Sequence, residues 1–168
     1  MIQVLFFTKF TDGIGRIAES IALSKNIAGI KFLSAELIPS DFNPLIKESL
    51  SSLGVPSEKL KPRGLHELDG MEIDVAILIG SEIEKESVFL PGNPVTLVWN
   101  IEKPLGFSTQ QGCNKAYSAV RDIIFTRIDD LINNGYLDAF AGMRNEEKLI
   151  LENISDGIIA HDLSLIHI

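Results

Sequence analysis

Cysteine is almost missing. Cys113 stands alone in 168 residues, which excludes an internal disulfide and any multi-thiolate metal site, and the shortage fits a reducing cytoplasm. Histidine is scarce too, and His66, His161 and His167 are too scattered to build a metal centre. No apolar run approaches the ~20 residues that span a bilayer. Met1 leads straight into strand-like sequence, where a secretory signal would show a basic and then an apolar region. Positive charge is in deficit: 15 Lys and Arg against 23 Asp and Glu leave a net charge of −8. Nucleic-acid binding by this segment is excluded on that ground, since it asks for a clustered basic face. The expectations are a cytoplasmic location, no membrane contact, no metal and no cofactor. What is present is a globular composition, 45% hydrophobic and 23% charged. The length suits one ordinary α/β domain with some residues to spare.

The first stretch sets the pattern for the rest. Residues 2–7 (IQVLFF) form a short apolar run of strand length, rich in β-branched and aromatic side chains. A polar, glycine-bearing loop follows: Thr8, Lys9, Phe10, Thr11, Asp12, Gly13, Ile14, Gly15. Then Ile14, Ile17, Ala18, Ile21 and Ala22 recur at helical spacing on one face. A buried strand feeding a helix N-terminus presents backbone N–H groups and the positive dipole end, a ready cradle for an anion. The same two glycines also fit a plain tight turn.

Further along, residues 30–37 read as a second strand and Pro39-Ser40-Asp41-Phe42 as a turn. Asn43-Pro44 then opens a helix, Asn as N-cap and Pro in the first turn. Leu45, Ile46, Ser49, Leu50 and Leu53 supply its buried face, and Gly54 stops it. Residues 55–70 are mixed, with one short helix near 65–68. Residues 73–79 (IDVAILI) are nearly continuously apolar, as in a strand buried on both faces of a parallel sheet. A loop with the turn cluster Pro91-Gly92-Asn93-Pro94 leads to a fourth strand at 95–99. Tyr117, Val120, Ile124, Ile128 and Leu131 stripe a long helix from about 113 to 133, ended by Asn134-Gly135. The predicted fold is therefore α/β, an open four-stranded parallel sheet with helices on both faces, followed by a C-terminal helical linker. In that architecture ligands bind beyond the carboxyl ends of the strands, where the first loop lies.

Several runs match a known family in order and in register. They are Val4-Leu5-Phe6-Phe7, Ala18-Glu19, Ser34-Ala35, Pro39-Ser40-Asp41-Phe42-Asn43-Pro44-Leu45, Leu53-Gly54-Val55, Lys61-Pro62-Arg63, Asp74-Val75, Val88-Phe89, Trp99 and Val120-Arg121-Asp122. On these residues, positions 2 to about 134 resemble the low-molecular-weight protein tyrosine phosphatase superfamily, in particular its thioredoxin-coupled arsenate reductase branch. The resemblance implies a cysteine nucleophile directly after the first strand, an arginine later in the loop, and an aspartate before a late proline. Counting back from Ala18-Glu19, Thr8 stands at the cysteine position and Ile14 at the arginine position; Lys103 precedes Pro104. Gly80 stands where the reductases carry a further cysteine. Arg16 reaches the arginine place only with a loop two residues too long.

These replacements bear directly on chemistry. Attack on phosphorus or arsenic at neutral pH needs a thiolate, and a threonine hydroxyl is a far weaker acid. Loss of a nucleophile costs on the order of 10⁶ in rate in a well-studied hydrolase. Without the arginine, bidentate oxyanion stabilisation goes as well. The expectation is a chain without enzymatic activity and with no catalytic residue. Its first loop, Thr8 to Gly15, would receive a small-molecule or oxyanion ligand, with Asp12 opposing a strongly anionic one. Cys113 heads a helix and reads as a small residue packed at its start. Glu82, Glu84 and Glu86 read as a solvated loop face, and Trp99 as packing.

Beyond Gly135 the character changes. Leu151 and Ile154 continue an amphipathic helix, Ser155-Asp156-Gly157 turns, and Ile158-Ile159 begin a strand. Residues 149–162 resemble the opening of a PAS domain, in which a helix leads through Asp-Gly into the first strand. The expected division is 1–135, phosphatase-like, and 136–168, a helical linker and a truncated PAS start. Leu163-Ser164-Leu165-Ile166-His167-Ile168 departs from the PAS pattern and resembles translated adapter read-through. Three functional readings follow. One is an inactive phosphatase-like sensor ahead of downstream signalling domains, in a histidine kinase or transcriptional activator. Another is an interaction module that pairs as a homodimer, and an active enzyme of altered mechanism is a third, weaker reading.

Overall fold

The computed structural model describes residues 1–9, 13–39, 43–54, 63–80, 90–104, 107–143, 150–154 and 157–160, with side chains as far as residue 139. In chain order the elements are β1 (Ile2–Thr8), α1 (Ile14–Ser24), β2 (Ile30–Glu36), α2 (Pro44–Ser52), a 3₁₀ turn (Leu65–Leu68), β3 (Val75–Ile79) and β4 (Val95–Trp99). Then come α3 (Gln110–Asn133), α4 (Tyr136–Met143), β5 (Ile150–Ile154) and β6 (Gly157–Ala160). The strands form one sheet in the order β2-β1-β3-β4-β5-β6. The first five run parallel and β6 is antiparallel to β5.

Side-chain alternation along the strands separates two cores. Val4 and Phe6 of β1 join Ile77 and Trp99 on the face covered by α1, α2 and α3. Leu5 and Phe7 join Ala76, Leu78 and Val98 on the opposite face, which carries Leu68 of the 3₁₀ turn and Ile73. Every residue of β3 is buried, as its unbroken apolar run requires. Trp99 is 0% exposed and packs against Phe6 at 6.0 Å between ring centroids, so the packing role expected of it holds.

Local signals place the helices. Asn43 Oδ1 accepts a hydrogen bond from the Ile46 N–H at 2.9 Å, with Pro44 in the first turn. α3 starts earlier than the apolar stripe suggests, because Thr109 Oγ1 accepts from the Gly112 N–H at 3.0 Å and caps it. Gly92 adopts φ +88°, and its Cα lies so close to the lead-in of β3 that an added Cβ would sit 2.6 Å from the Ile73 nitrogen.

The four predicted strands are all present, parallel and adjacent, and the sheet continues past them. The helix expected to carry Leu151 and Ile154 is instead β5, whose residues Ile150 to Asn153 pair with Thr96 to Trp99 of β4. Among the described residues of the expected linker only α4 is helical, and the sheet runs across the division placed at residue 135. The physical reason is the edge of β4, which offers a row of backbone donors and acceptors that a short apolar segment satisfies. Two apolar residues three apart fit a helix and a strand equally in so short a run. The turn at 40–42, residues 55–62, the acidic run at 82–86, His161, His167 and residues 163–168 lie outside the described residues. No helix among the described residues is long and apolar enough to cross a membrane.

Candidate functional site

The loop between β1 and α1 opens at the carboxyl ends of the parallel strands. Thr8 closes β1 opposite Glu36 of β2 and Ile79 of β3, and it is 1% exposed. Lys9 follows, partly buried. Phe10, Thr11 and Asp12 lie outside the described residues. Gly13 is the N-cap of α1 at φ +79°, a left-handed conformation that favours glycine, and its carbonyl accepts from the Ile17 N–H at 3.0 Å. As the N-cap, Gly13 brings no side-chain capping bond of its own. Ile14 is 1% exposed and belongs to the helix-side core. Gly15 brings the helix against the sheet, since a Cβ there would meet Thr8 Cγ2 at 3.5 Å and Ser34 Cβ at 3.7 Å.

Beneath this turn the structure assembles a polar cluster that sequence reasoning missed. Arg16 Nη2 meets Glu36 Oε1 at 2.8 Å, with side-chain exposures of 3% and 4%. One turn along α1, Glu19 Oε2 accepts a hydrogen bond from Ser34 Oγ at 2.7 Å in a buried setting. Arg63 Nη1 donates to the Ser34 carbonyl at 2.9 Å, and its own carbonyl accepts from the Glu36 N–H at 2.8 Å. Burial pushes the Glu19 carboxyl up from its ordinary range; the Ser34 hydrogen bond and the charges of Arg63 and Arg16 oppose the shift without cancelling it. Ser34 and Glu36 gave a usable signal: they are polar residues alternating with Leu33 and Ala35 in the buried stretch 32–36 of β2. Such residues need partners, and Arg16 and Glu19 sit at helical spacing beside the apolar face of α1.

The remaining candidates fall away from this cluster. Lys103 is exposed on the segment after β4. Cys113 is fully buried in the first turns of α3, its Sγ–H donating to the Leu45 carbonyl at 3.6 Å. Burial raises the pKa of this thiol, which Ser49 only partly opposes, so it is a packed sulfur and no reactive thiolate. His66 is exposed on the 3₁₀ turn. No group of three or more His, Cys, Asp or Glu among the described residues could hold a metal ion.

No protein-family model matches the chain, and no curated protein matches it in sequence. Solved structures do match its backbone. An arsenate reductase in its phosphate-binding state superposes with a TM-score of 0.62 at 18% identity, over 80% of this chain and 98% of that one. The arsenate reductase of Archaeoglobus fulgidus DSM 4304 gives 0.56 at 21% identity, over 74% and 98%. A low-molecular-weight protein tyrosine phosphatase from T. tengcongensis gives 0.55 at 17% identity, over 80% and 99%. The chain thus carries the α/β fold that arsenate reductases and low-molecular-weight protein tyrosine phosphatases share.

Proposed function

We propose that this chain is a non-catalytic, phosphatase-like regulatory module whose first loop, Thr8 to Gly15, receives a small molecule and reports its presence to the rest of a signalling protein. The observation that carries the reading is the fate of the two positions where the family resemblance expects nucleophile and clamp. Thr8 is 1% exposed and Ile14 lies in the core. A buried alcohol is a far weaker nucleophile than a thiolate, and an isoleucine offers an oxyanion nothing. The signalling context draws on the PAS-like succession Asp156-Gly157-Ile158-Ile159 alone. The test is direct: the purified chain is incubated with a chromogenic aryl phosphate and, separately, with arsenate and a thiol reductant. The expected result is no turnover above buffer. Turnover that vanishes in Thr8→Val retires the reading.

A further inference from the structure

We infer that Glu36 is a built-in anion that takes the place of an external oxyanion at the Arg16 guanidinium, beside the first loop, so that this position turns away phosphate, arsenate and sulfate. The inference rests on the reading that this loop is a ligand site. Arg16 is the third residue of α1, near the positive end of the helix, and at the carboxyl ends of the parallel strands. A guanidinium so placed is suited to hold an oxyanion in bidentate fashion. Here Arg16 Nη2 lies 2.8 Å from Glu36 Oε1, and both side chains are almost wholly buried. Glu36 stands directly beside Thr8 in the β1–β2 register, and the following Leu37 N–H donates to the Thr8 carbonyl at 3.0 Å, so the pair sits immediately behind the loop. Glu19, bonded to Ser34, brings a second carboxyl to the same cluster. Arg16 is thus already paired with Glu36, and an incoming anion would meet a guanidinium that a buried carboxylate occupies. Displacing Glu36 would leave its carboxylate buried and uncompensated, a strongly unfavourable state.

Calorimetry with inorganic phosphate tests the assignment on three proteins. The wild-type chain should show no saturable binding. Glu36→Ala, which removes the carboxylate beside the guanidinium and makes room there, should bind phosphate saturably. The double variant R16M/E36A should return to the wild-type behaviour. Saturable phosphate binding by the wild type overturns the inference, as does a folded E36A with no gain, or a gain that survives in R16M/E36A. Near-UV circular dichroism follows folding in parallel. If E36A is unfolded in buffer, refolding on addition of sulfate, absent in R16M/E36A, supports the assignment; an E36A that stays unfolded in sulfate counts against it, because an external anion then cannot stand in for Glu36. Aryl phosphate turnover by the wild type would retire the non-catalytic reading, whereas phosphate binding without turnover retires this inference alone.

Discussion

The carboxyl ends of β1 and β2 finish in Thr8 and Glu36, while those of β3 and β4, in the same sheet and also side by side, finish in Ile79 and Trp99. Both ends are buried. One is held by charges and hydrogen bonds, the other by aromatic and aliphatic packing. The contrast teaches where specificity has been placed in this fold. Apolar packing tolerates many partners of similar volume, whereas a buried ion pair demands its mate and punishes its loss. The charged end is also the one next to the first loop.

Substitutions sharpen the contrast. At the charged end, Arg16→Met leaves Glu36 without the cation it meets and should cost about 3–5 kcal/mol in urea denaturation. The double variant R16M/E36M should recover most of that loss, since replacing a whole buried pair with apolar groups is often neutral. At the apolar end, Trp99→Ala should also cost about 3–5 kcal/mol. There a second truncation, Phe6→Ala, should lower stability further, because nothing across the sheet is left unpaired by the first. Equal recovery at both ends would erase the distinction.

Two smaller effects read the cluster from inside. Ser34→Ala removes the hydroxyl that bonds Glu19 and should cost about 1–3 kcal/mol at neutral pH, with the loss shrinking in acid as Glu19 protonates. Glu19→Gln should show its effect in pH dependence. The Glu19 carboxyl is raised above 4.5 in the folded chain, first by burial. A group so shifted favours the folded state at low pH and withdraws that support as pH rises through its folded pKa. The stability of E19Q relative to wild type should therefore climb as pH increases above 4.5, read from thermal melts. A flat difference would mean that Glu19 is solvated.

Most of the fold was legible because its signals are local. The unbroken apolar run of β3, the Asn43-Pro44 start of α2 and the Asn134-Gly135 stop of α3 each act within a few residues. β5 was not, since the partner that makes residues 150–154 extended is β4, some fifty residues earlier in the chain. The loop itself was located from the strand–glycine–helix order. Its supporting cluster was hidden because Arg16 and Glu36 are joined across twenty positions, and each alone resembles an ordinary surface charge. Parity was the overlooked clue: a β2 buried over 32–36 cannot hold Ser34 and Glu36 without partners.

The close passage of Gly92 beside Ile73 carries a consequence for how this chain can vary. With φ at +88° and the Ile73 nitrogen 2.6 Å from where a methyl would stand, the neighbour in the way is main chain and has no rotamer to yield. Saturation mutagenesis with selection for folded protein should therefore leave position 92 almost blank except for the parent residue, while the adjoining exposed Asn93, left-handed at φ +47°, should also admit Gly and Asp.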